Sequence, residues 1–435
     1  MRHTISWSDL PDGRVAVWGM GMEGEASVRR LKTLGIGHVV VDDAPQDASI
    51  LPTEGPGLAA MLGCEVVIKT PGISRSRPEV GMLEDAGVAV VGGLGLWLHD
   101  ADRSRVVCVT GTKGKSTTAT ILGHLLVGLG RRPFVGGNLG RPPFAPEVDP
   151  ADHDVWIIET SSYQATDLAD APGVVCVTSL SPDHLPWHGK VEDYYRDKLS
   201  ICTLPGPHVT VANGADPTLR ANAELLGPDV RWVDAPEQRP AWLDGLGLLG
   251  AHNDRNALMA AACLEALGID AEEGALASAA AGMQPLDSRL QPVGTVGGVT
   301  FVDDSLSTNT LPTIAAVEAF AGRPVALLVG GQDRGIDYAP LGEFIRSRPD
   351  PTLVVAMPTN GPRILADMGE VSEPASTAET DDLPHAVEIA FRWAVEREGV
   401  VLLSPAAPSF DRFRDYRHRA TVFIEAMHAL TPSTG

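Results

Sequence analysis

The sequence predicts an α/β protein of three domains, each built on a parallel sheet, and three observations carry that expectation. Short β-rich runs alternate with Ala- and Leu-rich segments along a chain of 435 residues, the pattern of strand–helix–strand units with parallel pairing. A glycine-bracketed turn, Gly111-Thr112-Lys113-Gly114-Lys115-Ser116-Thr117-Thr118, follows one apolar run. A second glycine turn, Gly19-Met20-Gly21-Met22-Glu23-Gly24, follows another at 14–18.

In chain order the expected strands are RVAVWG (14–19), HVVVDD (38–43), EVVIKT (65–70), VAVVGG (88–93), RVVCVTG (105–111), DVWIIE (154–159), GVVCVTSL (173–180), HVTVANG (208–214), VTFVDD (299–304), PVALLVGG (324–331), TLVVAM (352–357) and GVVLLSP (399–405). Several end in Gly, Asp or Ser at what would be carboxyl edges, where ligands of open α/β sheets sit. The stretch WLHDADRSR (97–105) separates a first unit from the second glycine-bearing one, and the turn-prone MQPLDSR (283–289) precedes a new strand-rich region. The expected domains are therefore 1–101, 102–287 and 288–435. The Pro- and Asp-rich stretches around 141–153 and 234–242 are expected as surface connections.

A net charge of −22 and an isoelectric point near 4.9 argue against a nucleic-acid partner, for which a basic face is expected. The five cysteines are scattered without a C-x-x-C pair and read as reduced core residues of a cytosolic protein. The N-terminal stretch has no apolar signal core, and no window approaches about 18 uninterrupted apolar residues. A cytoplasmic protein without membrane insertion is expected.

The turn at 111–118 reads as a nucleotide phosphate grip. Small residues let backbone N–H groups converge on a phosphate at a helix N-terminus, Lys115 reaches the outer phosphates, and the Ser116 hydroxyl suits Mg²⁺. Val109 stands where the general pattern G-x-x-x-x-G-K-[ST] has Gly, so the motif is the shorter G-T-x-G-K-S-T, and an ordinary strand-to-helix loop is the alternative. The turn at 19–24 matches G-x-G-x-x-G, with Asp42 and Asp43 closing the next strand. Its spacing alone suggests a dinucleotide, but it can hold any diphosphate, and the second phosphate turn argues against a plain dehydrogenase.

Further polar clusters lie at expected strand ends. Glu159 closes the 154–159 run, placed like a Mg²⁺ ligand and followed by Ser161, Ser162, Tyr163 and Gln164. Asp183, His184 and His188 follow the 173–180 run, and Lys198 sits on an expected helix, where a lysine is normally solvated. The segment 250–256 offers Asn253 and Asn256, whose amides could read a base edge, with helix capping as the alternative. Asp303 and Asp304, followed by hydroxyls, suit phosphate or metal contact, with helix initiation as the alternative.

In this order GTKGKSTT, ETSSYQ, DHLPWHG with YYRDK, GAHNDRN, DSRL, VDDSLSTN, GGQDRGIDY and LLSPAAPSFDRF resemble the motifs of the Mur ligase family over almost the whole chain. The resemblance implies a Rossmann-like N-terminal domain holding a UDP group, a central P-loop-type ATPase domain, and a Rossmann-like C-terminal domain binding an amino acid. It implies ATP-dependent joining of glutamate to UDP-N-acetylmuramoyl-L-alanine through an acyl phosphate in peptidoglycan precursor synthesis, with ATP and Mg²⁺ as cofactors and a monomer as the working form. By the same resemblance Lys115, His184 and Lys198 are catalytic. ATP falls to Gly111, Thr112, Lys113, Gly114, Lys115, Ser116, Thr117, Asn253, Asn256, Arg289 and Asp304. Metal falls to Ser116, Glu159, His184 and a carbamylated Lys198. The UDP-sugar falls to Gly19, Gly21, Met22, Glu23, Gly24, Asp42, Asn138, Ser161 and Gln164.

Four positions depart from the family's D-glutamate-adding enzymes: Lys113 replaces Asn, Leu306 replaces Lys, Arg334 replaces Lys and Tyr416 replaces Phe. The combination resembles the branch that attaches L-glutamate and relies on a separate epimerase, with Arg334, Ser409 and Tyr416 in the glutamate pocket. The ordinary D-glutamate ligase is the alternative within the family. A non-catalytic nucleotide-binding regulatory protein is the alternative outside it, and the retained Glu159, His184 and Lys198 speak against that.

Overall fold

The structure, a computed structural model, describes residues 2–430. The chain forms two compact units, one of residues 1–245 and 255–283 and one of 246–254 and 284–435.

The first unit carries two parallel sheets. One contains β1 (Val15–Trp18), β2 (His38–Asp42), β3 (Leu51–Pro52), β4 (Val66–Lys69) and β5 (Ala89–Gly92), in the order β3-β2-β1-β4-β5. The other contains β6 (Val106–Thr110), β7 (Pro133–Gly137), β8 (Val155–Glu159), β9 (Val174–Val177), β10 (Val209–Asn213) and β11 (Val230–Val233), in the order β11-β10-β9-β6-β8-β7. β1, β4, β6, β8 and β9 are buried along their whole length, as a sheet covered on both faces requires, and their sequences are accordingly unbroken apolar runs. β1 pairs β2 on one side and β4 on the other, so the chain reverses its direction of winding there. The 19–24 turn leaves the carboxyl end of β1 at that switch point, where open α/β sheets hold ligands. β6 stands likewise between β8 and β9, and the 111–114 turn leaves its end.

The second unit holds β12 (Gln291–Val296), β13 (Val299–Asp303), β14 (Val325–Val329), β15 (Thr352–Ala356), β16 (Ala375–Glu379) and β17 (Val400–Leu403), ordered β12-β13-β17-β14-β15-β16. Its pairings are parallel except β12 with β13, a hairpin closed by Gly297 and Gly298 at φ 55° and 82°, the pair of positive values a tight hairpin turn demands. Separate apolar clusters cover its two faces, one around Leu327, Tyr338 and Ile345 and one around Phe301, Val355 and Phe423. Four of the five cysteines are buried and all are free. Among the described residues no helix is long and apolar enough to cross a membrane.

Candidate active site

Gly111 and Gly114 take φ of 132° and 87°, conformations closed to side-chain-bearing residues at little strain, and Gly114 caps the helix Lys115–Gly128. A side chain at Gly111 would strike the Thr178 hydroxyl at 2.2 Å, and one at Gly114 the Asn256 Oδ1 at 2.6 Å. The turn is pinned beneath: Thr112 N donates to Ser179 O at 2.8 Å, Lys113 N to Ser179 Oγ at 2.8 Å, and the Thr112 hydroxyl meets Tyr194 Oη at 3.0 Å. Lys115 Nζ donates to Thr112 O at 3.1 Å, folded back over the turn, and Thr117 lies partly exposed in the helix's first turn. Lys113 Nζ pairs with Asp183 Oδ2 at 3.3 Å. The first N–H groups of an α-helix have no intrahelical acceptor, so this end of Lys115–Gly128 is free to receive an anion.

Glu159, at the end of β8, is 3% exposed. It accepts from Ser116 Oγ at 2.6 Å on one oxygen and from Asn138 Nδ2 at 2.7 Å on the other. Lys198 is 2% exposed, and its Nζ donates to Gly111 O at 2.9 Å. The expectation of a solvated lysine yields here to tertiary packing. Burial, with Lys115 and Lys113 adding repulsion, holds its pKa well below the usual lysine value. A lowered pKa favours the neutral amine, the form that adds carbon dioxide to give a carbamate.

His184 stands at φ 52°, exposed, with Nε2 3.9 Å from Asp183 Oδ2 and its ring edge-on to Tyr163 at 5.4 Å. Burial lowers its pKa, opposed by Asp183 and reinforced by Lys198, Lys113 and Lys115, so these groups share one neighbourhood. The two histidines of the DHLPWHG segment part company. His188 is buried, with Nε2 2.9 Å from Ser162 Oγ and Nδ1 2.7 Å from Asp197 Oδ2. This relay fastens the helix bearing Lys198 to the loop after Glu159, and nothing in the spacing of Ser162 and His188 announces it.

The donors at this centre suit magnesium. Ser116 and Glu159 offer hard oxygens beside a phosphate grip, and Mg²⁺ characteristically takes one or two carboxylates and completes its shell from substrate phosphates and water. Among the described residues no group of three or more His, Cys, Asp and Glu could hold a metal ion.

The 19–24 turn opens a cavity of about 440 Å³, bounded by residues 19–23, Asp42, Asp43, 70–73, Gly137 and Asn138. Gly24 packs so tightly that a Cβ there would lie 1.9 Å from Gly19 O, whereas one at Gly21 would meet nothing. Met22 is exposed at 59%. Asp42 spends both oxygens on the chain, accepting from Met20 N at 2.6 Å and Ala44 N at 2.8 Å. Glu23 accepts from Gln164 Nε2. Gln164 Oε1 and Ser161 Oγ in turn cap the short helix Ser162–Ala165 reciprocally, so Ser161 and Gln164 shape the cavity's surroundings through the main chain as well as by their side chains. Asn138 lines this cavity and also bonds Glu159, which joins the two centres.

Asn256 belongs to the first unit and Asn253 to the second, where Asn253 Nδ2 donates to Leu249 O at 2.7 Å. In the second unit Asp304, 4% exposed, accepts from Ser404 Oγ at 2.7 Å and Leu290 N at 3.2 Å. Burial pushes it up to about 6 against the pull of Ser307, Ser404 and Arg289. Asp303 is occupied by Ser288 and Ser305. Arg289 Nε is buried without a partner, a donor suited to a phosphate or ribose oxygen. Arg334 is exposed with its guanidinium 6.0 Å from the Phe410 ring, next to buried Ser409, while Tyr416 opens the helix Tyr416–Ala429. Sequence reasoning missed Arg419, wholly buried, which donates to Ser305 O at 2.8 Å and Ala407 O at 3.1 Å and ties the loops after β13 and β17 together.

Residues 109–244 match the Mur ligase middle domain, and full-length relatives extend the match over both units, so the chain belongs to the Mur ligase family. It is 42% identical to a protein of Micromonospora sp. named UDP-N-acetylmuramoyl-L-alanine–L-glutamate ligase, covering 97% of each chain. It is 39% identical to a protein of Salinispora tropica with the same name, covering 97% of this chain and 98% of the other. Among solved structures, MurF from Acinetobacter baumannii aligns with a TM-score of 0.61 at 15% identity, over 98% of this chain and 93% of that one, a likeness of fold.

Proposed function

We propose that the protein joins L-glutamate to the L-alanine carboxyl of UDP-N-acetylmuramoyl-L-alanine at the expense of ATP, in the cytoplasm, as a step of peptidoglycan precursor synthesis. The observation that carries this reading is the meeting of two centres at Asn138: one of its faces lines the glycine-turn cavity, and its amide donates to Glu159 beside the phosphate turn. A substrate whose diphosphate lies on the 19–24 turn would thereby present its far end to the nucleotide. The names of the relatives supply the substrate.

A carboxylate is a poor electrophile, so the alanine carboxylate must first take the γ-phosphoryl group of ATP to become an acyl phosphate, which the glutamate amine then attacks with loss of phosphate. The helix N-terminus at Lys115 and the Lys115 ammonium hold the phosphates and neutralise charge developing on them. Ser116, Glu159, His184 and a carbamylated Lys198 would hold Mg²⁺, which supplies charge neutralisation and orientation at the phosphates. We assign Arg289 and Asp304 of the second unit, with Asn253 and Asn256, to the nucleotide. Arg334, Ser409 and Tyr416 are assigned to glutamate, where a guanidinium grips a carboxylate as a two-pronged fork. Domains of 1–101, 102–287 and 288–435, a monomeric working form and a separate epimerase acting on the product complete the reading.

Phosphate release by the purified protein with ATP, Mg²⁺ and UDP-N-acetylmuramoyl-L-alanine, run in parallel with L- and D-glutamate, tests it. Turnover with L-glutamate alone is the expected result. Turnover with D-glutamate alone assigns the ordinary D-glutamate ligase, and silence with both overturns the ligase reading.

A further inference from the structure

The cavity at the 19–24 turn presents an electrostatic contradiction. Among the described residues that bound it there is no Lys, Arg or His, yet three carboxyl groups, Glu23, Asp42 and Asp43, face it, and the ligand assigned to it under the proposed function carries a dianionic diphosphate. Two of the three carboxyls are already committed. Asp42 accepts two backbone N–H groups. Asp43 is paired with Arg77 Nη1 at 2.5 Å, and despite burial its hydrogen bonds from Arg77 and Thr53 hold it below the usual carboxylate range.

Glu23 has no such compensation. It sits in the first turn of the helix Met22–Leu34, within the phosphate-gripping turn itself. Its only hydrogen-bond donor among the described residues is the uncharged amide of Gln164. The charged groups that face it are Asp167, from the connection between β8 and β9, and Lys69, at the end of β4. Lys69 is engaged by Asp167 Oδ2 at 2.5 Å and by Ile73 O at 2.9 Å, and Arg75 holds the other Asp167 oxygen at 2.7 Å. The nearest cation is thus spent on the nearest anion.

We propose, on the footing of the assigned UDP-sugar substrate, that Glu23 enters binding as a neutral carboxylic acid. It accepts from Gln164 with one oxygen and donates its proton from the other to the substrate diphosphate, so that binding takes up a proton wherever Glu23 is ionised in the free protein. The physical ground is charge balance: an ionised carboxylate a few ångströms from a diphosphate, with no cation lining the cavity, costs far more than protonating one carboxyl. Burial, with Asp167 adding repulsion against the opposing pull of Gln164 and Lys69, already pushes Glu23 up to about 7 in the free protein. The dianion then completes the protonation. Glu23 is a substrate-binding residue on this account, and the glycine turn discriminates for its ligand through a titrating group.

Calorimetric titration of the whole protein with UDP-N-acetylmuramoyl-L-alanine between pH 6 and 9, without ATP, is the test. The dissociation constant is expected to hold level near pH 6 and to rise about tenfold per pH unit above 7. Proton uptake approaching one per ligand at pH 8 should be read from the dependence of binding heat on buffer ionisation enthalpy. Glu23→Gln, which keeps the acceptor for Gln164 and a permanent donor for the phosphate, should flatten the pH profile and abolish the uptake. A wild-type affinity level across this range with no proton uptake overturns the proposal while leaving the substrate assignment intact, as does a Glu23→Gln slope equal to that of wild type. The uptake measurement on wild-type protein stands without the variant. Absence of binding by wild type at every pH removes the substrate assignment and this proposal with it.

Discussion

Lys69 Nζ lies 2.5 Å from Asp167 Oδ2 with both side chains almost wholly buried, at 0% and 4% exposure. The pair joins the end of β4 in the first sheet to the connection between β8 and β9 of the second, and Arg75 completes it. Removing one partner strands a buried charge, so Asp167→Ala should destabilise by about 3–5 kcal/mol in urea unfolding. Replacing both partners, Lys69→Met with Asp167→Leu, should cost clearly less than Asp167→Ala alone. A loss below about 1 kcal/mol for Asp167→Ala would show that water reaches the pair.

Lys198 is buried with its amine held at the Gly111 carbonyl, and burial lowers its pKa well below the usual lysine value. Protein equilibrated with ¹³C-labelled carbon dioxide should give a carbamate carbon resonance that is absent from Lys198→Arg, and that variant should lose nearly all turnover. A wild-type spectrum without the resonance under saturating bicarbonate would rule the modification out.

The hydrogen bond from Ser116 to Glu159 fixes the carboxylate beside the first turn of the helix Lys115–Gly128. Ser116→Ala should raise the Mg²⁺ concentration for half-maximal phosphate release by about 10–100-fold, the usual effect of losing a group that orients a metal ligand. An unchanged Mg²⁺ dependence would detach Ser116 from the metal.

The Arg334 guanidinium lies 6.0 Å from the ring of Phe410, the residue after Ser409 in the chain. Exchanging its planar fork for a point charge in Arg334→Lys should raise the KM for L-glutamate about tenfold or more, about 1.4 kcal/mol per decade, with little change in the KM for ATP. Equal shifts in both would place Arg334 outside the glutamate pocket.

Asp304 carries a folded-state pKa of about 6, raised by burial. The folded state therefore holds this proton more tightly than the unfolded chain. The sign follows: the group favours folding below the unfolded value near 4, and that contribution is lost as pH rises through 6. Asp304→Asn, which cannot ionise, should melt closer to wild type or above it at pH 8 than at pH 4.5. A variant equally destabilised at both values would contradict this.

Twelve of the strands are legible as apolar runs, and the five that are not, β3, β7, β11, β12 and β16, all lie at the edges of their sheets. The reason is physical. A central parallel strand is covered on both faces and must be apolar throughout, whereas β11, β12 and β16 alternate or stay half-exposed along their length and lose that signature. At the site, residues acting through main-chain geometry are legible because glycine and the strand–turn–helix order announce them. Arg419, and the buried state of Lys198 and His188, are not, since a lysine, histidine or arginine on a helix reads as solvated until packing places it inside.

The close approach at Gly24, where a Cβ would lie 1.9 Å from Gly19 O, constrains how this chain can vary. Glycine has no smaller replacement, so every missense change in that codon adds atoms to space already filled by backbone, which cannot swing aside as a side chain would. Gly21, three residues earlier in the same motif, has open space where a Cβ would stand, so a small side chain there meets no atom of the protein. Lineages descended from this gene should therefore be frozen at Gly24 by the protein itself, whereas any limit on Gly21 comes from the ligand of the cavity it lines.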